Sequence, residues 1–118
     1  MNKIMMVLAT LVALEFLYIM YLETFRTTSA KTARVFRLSS ADLNNTTVKT
    51  LFKNQGVYNG LLAVLILLAV YVFASKVATL ILMGYIVLVA LYGSLTSNPK
   101  IILMQGGLAI LTLVSYFF

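Results

Sequence analysis

The chain has 118 residues, of which 62% are hydrophobic and 10% are charged, and its mean hydropathy is +1.01. Nine lysines and arginines against three acids give a formal net charge of +6. This composition lies far from that of soluble proteins and predicts an integral membrane protein. The sequence has no cysteine and no histidine, which excludes thiol nucleophiles, imidazole bases and ordinary zinc or haem ligation. We therefore expect no cofactor.

Four apolar stretches follow one another along the chain, at about 3–23, 56–74, 77–97 and 100–118, and each is close to the ~20 residues that cross ~30 Å of hydrocarbon. They are continuously apolar and lack the alternation of a β-barrel strand. We predict one all-α membrane domain, 1–118, built as a bundle of four transmembrane helices. The first stretch is longer than the apolar region of a secretory signal, about 7–15 residues, so we expect it to remain in the protein.

Glu15 lies inside the first apolar stretch. A charge at the bilayer centre costs at least about 2.5–3.5 kcal/mol, so such an acid is expected to be partnered, protonated or functional. Tyr18 lies about one turn further along the helix. Glu23 ends the stretch about 12 Å from Glu15, rotated by only about 80°, so both acids can face the bundle interior. The alternative for Glu23 is a side chain that snorkels from the interface to water.

Most of the positive charge lies between the first and second stretches. The basic residues there are Arg26, Lys31, Arg34, Arg37, Lys49 and Lys53. Lys100 opens the fourth stretch, and only Lys3 and Lys76 lie on the opposite side. The positive-inside rule therefore predicts a cytoplasmic first loop, 24–55, with both termini outside. The charge is expected to contact anionic lipid headgroups, and we expect no nucleic-acid partner.

Part of this loop has a helical pattern. Ser39 followed by Asp42 resembles a capping box, and apolar residues then recur at roughly helical spacing. These apolar residues are Leu43, Val48, Leu51 and Phe52. We predict a short interfacial helix here. For 27–38, a plain solvated connector is an equal alternative.

A polar cluster, Asn54-Gln55-Gly56-Val57-Tyr58-Asn59-Gly60, begins the second stretch. Helical spacing places Asn54 near Tyr58 and Gln55 near Asn59 on one broad face. Gly56 and Gly60 form a small-xxx-small pair, which permits close helix packing. Packing and ligand contact are both open interpretations of the cluster. The glycine pair, or Gly106 with Gly107, can serve a contact inside the bundle or a homodimer.

The predicted topology brings polar residues of several stretches to the cytoplasmic side. We therefore predict a crevice that opens from the cytoplasmic leaflet and narrows toward Glu15. The predicted ligand-binding residues are Glu15, Tyr18, Glu23, Asn54, Gln55, Tyr58, Asn59, Tyr92 and Gln105. No catalytic residue and no metal site is assigned. The tyrosines also fit packing or interfacial positions.

The chain resembles a family of small bacterial membrane proteins, DUF1304, over nearly its whole length. The resemblance rests on Glu15 with Tyr18-Ile19 and Leu22-Glu23, Val35-Phe36, the 54–60 cluster with Leu62-Ala63, Tyr92-Gly93 and Gln105. It implies the four-helix fold and draws attention to these residues, but it implies no reaction. The family pattern often has a histidine just after the first acid, where this chain has Phe16. A family mechanism that uses this histidine would not transfer to this chain.

Three classes of function fit these features. The preferred one is a protein that binds or carries a small hydrophobic or amphipathic molecule, with Glu15 accepting a hydrogen bond. The second is a proton-coupled transporter of small solutes that uses Glu15, because the chain looks superficially similar to small multidrug exporters. Its long first loop and strong charge asymmetry are unlike theirs. The third is an intramembrane isomerase that uses a carboxylic acid for proton transfer. Overall, an enzyme is the less favoured interpretation.

Overall fold

The computed structural model describes all residues, Met1–Phe118, and every regular element is helical. Two helices end in a π-helical turn: α1 continues into Tyr21–Phe25 and α4 continues into Leu68–Val72. The helices are α1 (Lys3–Met20), α2 (Ala30–Phe36), α3 (Ser40–Asn44), α4 (Thr46–Leu67), α5 (Lys76–Thr96), α6 (Ile101–Met104) and α7 (Gly107–Ser115). The predicted all-α class is confirmed.

Three helical segments are long and apolar enough to cross a membrane, namely Lys3–Phe25, Thr46–Val72 and Lys76–Thr96. Length and hydropathy are therefore consistent with a membrane location. The fourth apolar stretch is divided into α6 and α7, which Gln105 and Gly106 separate. The number of four spans stays a prediction.

The chain forms two compact units, and α1 and α4 each contribute to both. The first unit contains Met1–Glu15 and Val64–Phe118. Within it, α5 packs against α6, α7 and the π-helical turn that ends α4. The hydroxyls of Thr10 and Tyr71 form a 2.7 Å hydrogen bond that joins α1 to this turn. α5 follows after a tight turn in which Ala74 has a φ of 45° and Ser75 Oγ accepts the Ala78 N–H at 3.1 Å.

The second unit, Phe16–Ala63, contains the predicted first loop. Ser39 Oγ caps α3 by accepting the Asp42 N–H at 3.0 Å. Asn45 then ends α3, and its Oδ1 accepts the N–H groups of Thr47 and Val48 at 3.0 and 3.2 Å. Because this side chain caps a new helix, α4 begins at Thr46, ten residues before the predicted second stretch.

The apolar repeat predicted for one loop helix is therefore divided between two helices. Leu43 is buried on α3, whereas Val48, Leu51 and Phe52 belong to the first turns of α4. The segment 27–38, for which a plain connector was an alternative, contains α2. An edge-to-face contact between Phe36 and Phe52, with ring centroids 5.2 Å apart, joins α2 to α4.

Candidate functional site

Glu23 lies in the π-helical turn that ends α1. The turn is closed by a 3.0 Å hydrogen bond from the Arg26 N–H to the Tyr21 carbonyl, five residues back. Such turns insert one extra residue into a helix and are frequent at functional sites. The Glu23 side chain is fully buried. The alternative that it snorkels to water is therefore wrong.

The Glu23 carboxyl binds two side-chain amides of α4, one at each oxygen. Gln55 Nε2 donates to Oε2 and Asn59 Nδ2 donates to Oε1, both at 2.6 Å. Gln55 and Asn59 are four residues apart, so they follow one another along one stripe of the helix. Both partners are neutral donors. Each oxygen of the Glu23 carboxyl therefore accepts one hydrogen bond from α4.

Two glycines let α4 approach this end of α1 closely. A Cβ at Gly56 would collide with Thr24 Oγ1 and lie 3.1 Å from Glu23 Cβ. A Cβ at Gly60 would collide with Met20 Sδ. Thr24 Oγ1 also donates to the Lys53 carbonyl at 3.0 Å. The small-xxx-small pair thus serves a contact inside one chain, between α1 with its π-helical turn and α4.

Two buried threonines donate hydrogen bonds to backbone carbonyls at the end of α1, where the last carbonyls of a helix lack partners within the helix. Thr27 Oγ1 donates to the Glu23 carbonyl at 2.5 Å. Thr32 Oγ1 donates to the Arg26 carbonyl at 2.6 Å and to the Leu22 carbonyl at 3.3 Å. Sequence reasoning missed both residues. The run of hydroxyl residues directly after the first apolar stretch was the available signal, since such residues often bind free helix-end groups.

Glu15 has a different environment from Glu23. Its side chain is half-buried, and its Oε1 is the only buried side-chain oxygen or nitrogen in the chain without a hydrogen-bond partner. An unsatisfied buried polar atom is rare in a native structure and needs an explanation. Phe16, at the position of the family's frequent histidine, is buried.

We call Glu23, Gln55 and Asn59 the Glu23 cluster. Three other predicted site residues of the same unit, Tyr18, Asn54 and Tyr58, do not bond to it. Asn54, Gln55 and Tyr58 are all exposed on α4, and Asn59 is half-buried. Of these four residues only Gln55 and Asn59 bond to Glu23, so hydrogen bonding and not exposure divides the polar face predicted for residues 54–59. Tyr18 is partly exposed, and Lys31 Nζ lies 5.3 Å from its ring centroid. Tyr92 and Gln105 belong to the other compact unit. Tyr92 is exposed on α5, and Gln105 is half-buried between α6 and α7.

The helices and the buried cluster together define a helical protein with three membrane-length segments and a carboxyl group bonded to amides near the end of the first. The family model described as "Protein of unknown function (DUF1304)" matches residues 10–117. The chain belongs to this family, as its sequence motifs predicted. It is 55% identical over 119 residues to the uncharacterized protein YpaA of Lactococcus lactis, with 100% of both chains covered. No solved structure matches the chain.

Proposed function

We propose that the protein is a four-span membrane protein that binds or carries a small hydrophobic or amphipathic molecule, and that Glu15 accepts a hydrogen bond from a donor group of this molecule. One observation carries the proposal. Glu15 Oε1 is buried and has no partner within the chain. Burying such an atom without a hydrogen bond costs free energy, and a ligand with an N–H or O–H group would remove that cost.

Glu23 differs from Glu15 in having no free oxygen, and this difference supports the assignment of the ligand to Glu15. Both Glu23 oxygens already accept a hydrogen bond from α4, so a ligand would have to displace Gln55 or Asn59 to bind there. We assign Glu23 and these two amides to holding the end of α1 against α4. Of the two acids in the first apolar stretch, Glu15 alone has a buried oxygen left over for a ligand.

The proposal includes a membrane topology with the first loop in the cytoplasm and both termini outside. Seven of the nine cations lie in the first loop or at the start of the fourth stretch, against two on the opposite side, which favours a cytoplasmic loop and outside termini. The fourth span would consist of α6 and α7, and hydrogen bonds between backbone groups continue after α7 to Phe118. Glu15 would then lie deeper in the membrane than Glu23, reached from the cytoplasmic leaflet.

Native mass spectrometry of the purified protein, with bound molecules released and identified, tests the proposal. The wild type is compared with Glu15→Gln, which keeps the shape of the side chain and removes its charge. Asp42→Asn makes the same chemical change in the exposed α3 and is the matched control. We expect a defined small molecule on the wild type and on Asp42→Asn that is weakened or lost on Glu15→Gln. Equal occupancy of all three proteins, or bulk lipid alone, would contradict the proposal.

A further inference from the structure

α2 is a short helix that the rest of its unit holds in place. A helix of seven residues is not stable alone in water, so tertiary contacts must fix it. Ser29 Oγ accepts the Thr32 N–H at 3.2 Å at its start, and the buried Thr32 hydroxyl binds the Arg26 carbonyl. Phe36 packs edge-on against Phe52 at its end. α2 therefore presents a fixed outer face.

That outer face is basic. Lys31 and Arg34 lie three residues apart on α2, Arg37 is the residue that ends the helix, and all three are exposed, whereas Thr32, on the inner face, is fully buried. We call these three residues the α2 basic face. Arg37 also has a φ of 55°, a left-handed conformation that favours glycine at the end of a helix.

The positive charge near this face has few acids to balance it. The unit Phe16–Ala63 contains six cations and two acids, Glu23 and Asp42. Glu23 is fully buried and bonded to amides, so Asp42 is the only acid on the surface of the unit. The charges indicate an anionic partner from outside the chain.

The position of α2 along the chain indicates which anion this is. The first membrane-length segment ends at Phe25 and the next begins at Thr46, so α2 lies on a short connection between two segments that can cross a membrane. Phe25 is 68% exposed and Tyr21 is 44% exposed beside it, as expected for aromatic residues at a membrane interface. A basic helix at such a site lies at the depth of lipid headgroups.

We propose that the α2 basic face binds the headgroups of anionic phospholipids. The proposal is independent of the ligand of Glu15, because it rests on other residues and another chemistry. Each lysine or arginine near an anionic membrane surface adds to the attraction, so two on a fixed helix and a third at its end discriminate between anionic and zwitterionic lipid. The two membrane-length segments on either side favour a lipid over a nucleic acid.

The test is competition between phosphatidylglycerol and phosphatidylcholine with the same acyl chains, added in equal amounts to the purified full chain and read by native mass spectrometry. The test variant carries Lys31→Gln, Arg34→Gln and Arg37→Gln. The control variant carries Lys3→Gln, Lys76→Gln and Lys100→Gln, which removes the same charge elsewhere. A third variant, with Lys31→Arg, Arg34→Lys and Arg37→Lys, keeps the charge of the α2 basic face.

We expect the wild type to bind phosphatidylglycerol in preference to phosphatidylcholine. In the test variant, the ratio of bound phosphatidylglycerol to bound phosphatidylcholine should be about tenfold lower. The control and charge-keeping variants should stay within about twofold of the wild type. If the test variant does not fold, raising the salt from about 0.1 M to about 1 M must weaken the preference of the wild type, because screening shortens the reach of the charges. No preference in the wild type, the same preference in the test variant, or displacement of the lipid by an equimolar oligonucleotide would overturn the proposal.

Discussion

Asn59 Nδ2 donates a 2.6 Å hydrogen bond to Glu23 Oε1, although the two residues are 36 positions apart in the chain. The bond joins the end of α1 to α4 at a position where Glu23 has no exposed surface. We expect Asn59→Ala to lower the free energy of unfolding by about 1–2 kcal/mol, because it leaves a buried carboxyl oxygen without its donor. Unfolding in mixed detergent micelles measures this loss.

Asn54→Ala is the control for that experiment. It removes the same kind of side chain from the same helix, but Asn54 is exposed, and we expect a change within about 0.5 kcal/mol. A double-mutant cycle with Glu23→Ala, which removes the acceptor, then measures the coupling between the two side chains. Equal effects of Asn59→Ala and Asn54→Ala would show that the hydrogen bond does not stabilise the fold.

Gly56 tests how closely α4 approaches the end of α1. We expect Gly56→Ala to destabilise the protein by about 1–3 kcal/mol, because the new methyl group would displace Thr24 Oγ1 and strain its hydrogen bond to the Lys53 carbonyl. Gly60→Ala should destabilise the protein less than Gly56→Ala, since its methyl group meets the flexible end of the Met20 side chain. The measurement is thermal unfolding in detergent.

Gly84→Ala provides the matched control for the glycine series. Gly84 lies within α5, and a Cβ there would meet no atom within 4 Å. Alanine is a better helix former than glycine by about 1 kcal/mol, so this substitution should leave stability unchanged or raise it. If Gly56→Ala behaved in the same way as Gly84→Ala, the close approach at Gly56 would be refuted.

Thr32 tests the attachment of α2. Thr32→Val keeps the shape of a fully buried side chain but removes the hydroxyl that binds the Arg26 and Leu22 carbonyls. We expect faster hydrogen exchange throughout α2, because a seven-residue helix depends on such contacts. Thr28→Val, at an exposed position, should leave exchange unchanged. Protection of α2 that survives in Thr32→Val would contradict this role.

Ala74 tests the turn between α4 and α5. Its φ of 45° is a left-handed conformation that costs an alanine about 1–2 kcal/mol relative to the ordinary right-handed region. Ala74→Gly removes that cost but gives the unfolded chain more freedom, so we expect stability to stay constant or rise by up to about 1 kcal/mol. Ala69→Gly, at a buried position before the turn, should lower it. Thermal unfolding measures the stability of both variants. A lower stability of Ala74→Gly would be inconsistent with a left-handed conformation at Ala74.

Hydropathy predicted the all-α class and four apolar stretches because ~20 consecutive apolar residues leave few alternatives, and the first three of these stretches lie largely in membrane-length helical segments. It did not predict the start of α4 at Thr46, because a hydropathy window detects apolar length and not helix ends. Asn45, a good capping residue before a helix, was the local signal for that start. The π-helical turn at Glu23 had no comparable signal, since Thr27 and Thr32 stabilise it through contacts that exist only after folding.

For the candidate site too, the sequence predicted some features, whereas others depend on tertiary contacts. The sequence identified Glu23, Gln55 and Asn59 as members of one polar set, because helical spacing and depth both favour a common location. Spacing alone did not predict that the two amides bind Glu23 while Asn54 and Tyr58 do not. Which side of α4 packs against α1 is decided by Gly56 and Gly60, and this depends on tertiary contact. The roles of these residues toward a ligand stay predictions.

We propose that Glu15 binds a ligand, whereas Glu23 holds the helices together. Native mass spectrometry of Glu15→Gln beside Glu23→Gln, with ligand occupancy measured on the folded fraction of each, separates the two roles. We predict that the small molecule found on the wild type is weakened or lost on Glu15→Gln, and that folded Glu23→Gln retains it while unfolding more readily. Full occupancy of Glu15→Gln, or loss of the molecule only from Glu23→Gln, would show that Glu15 does not bind the ligand.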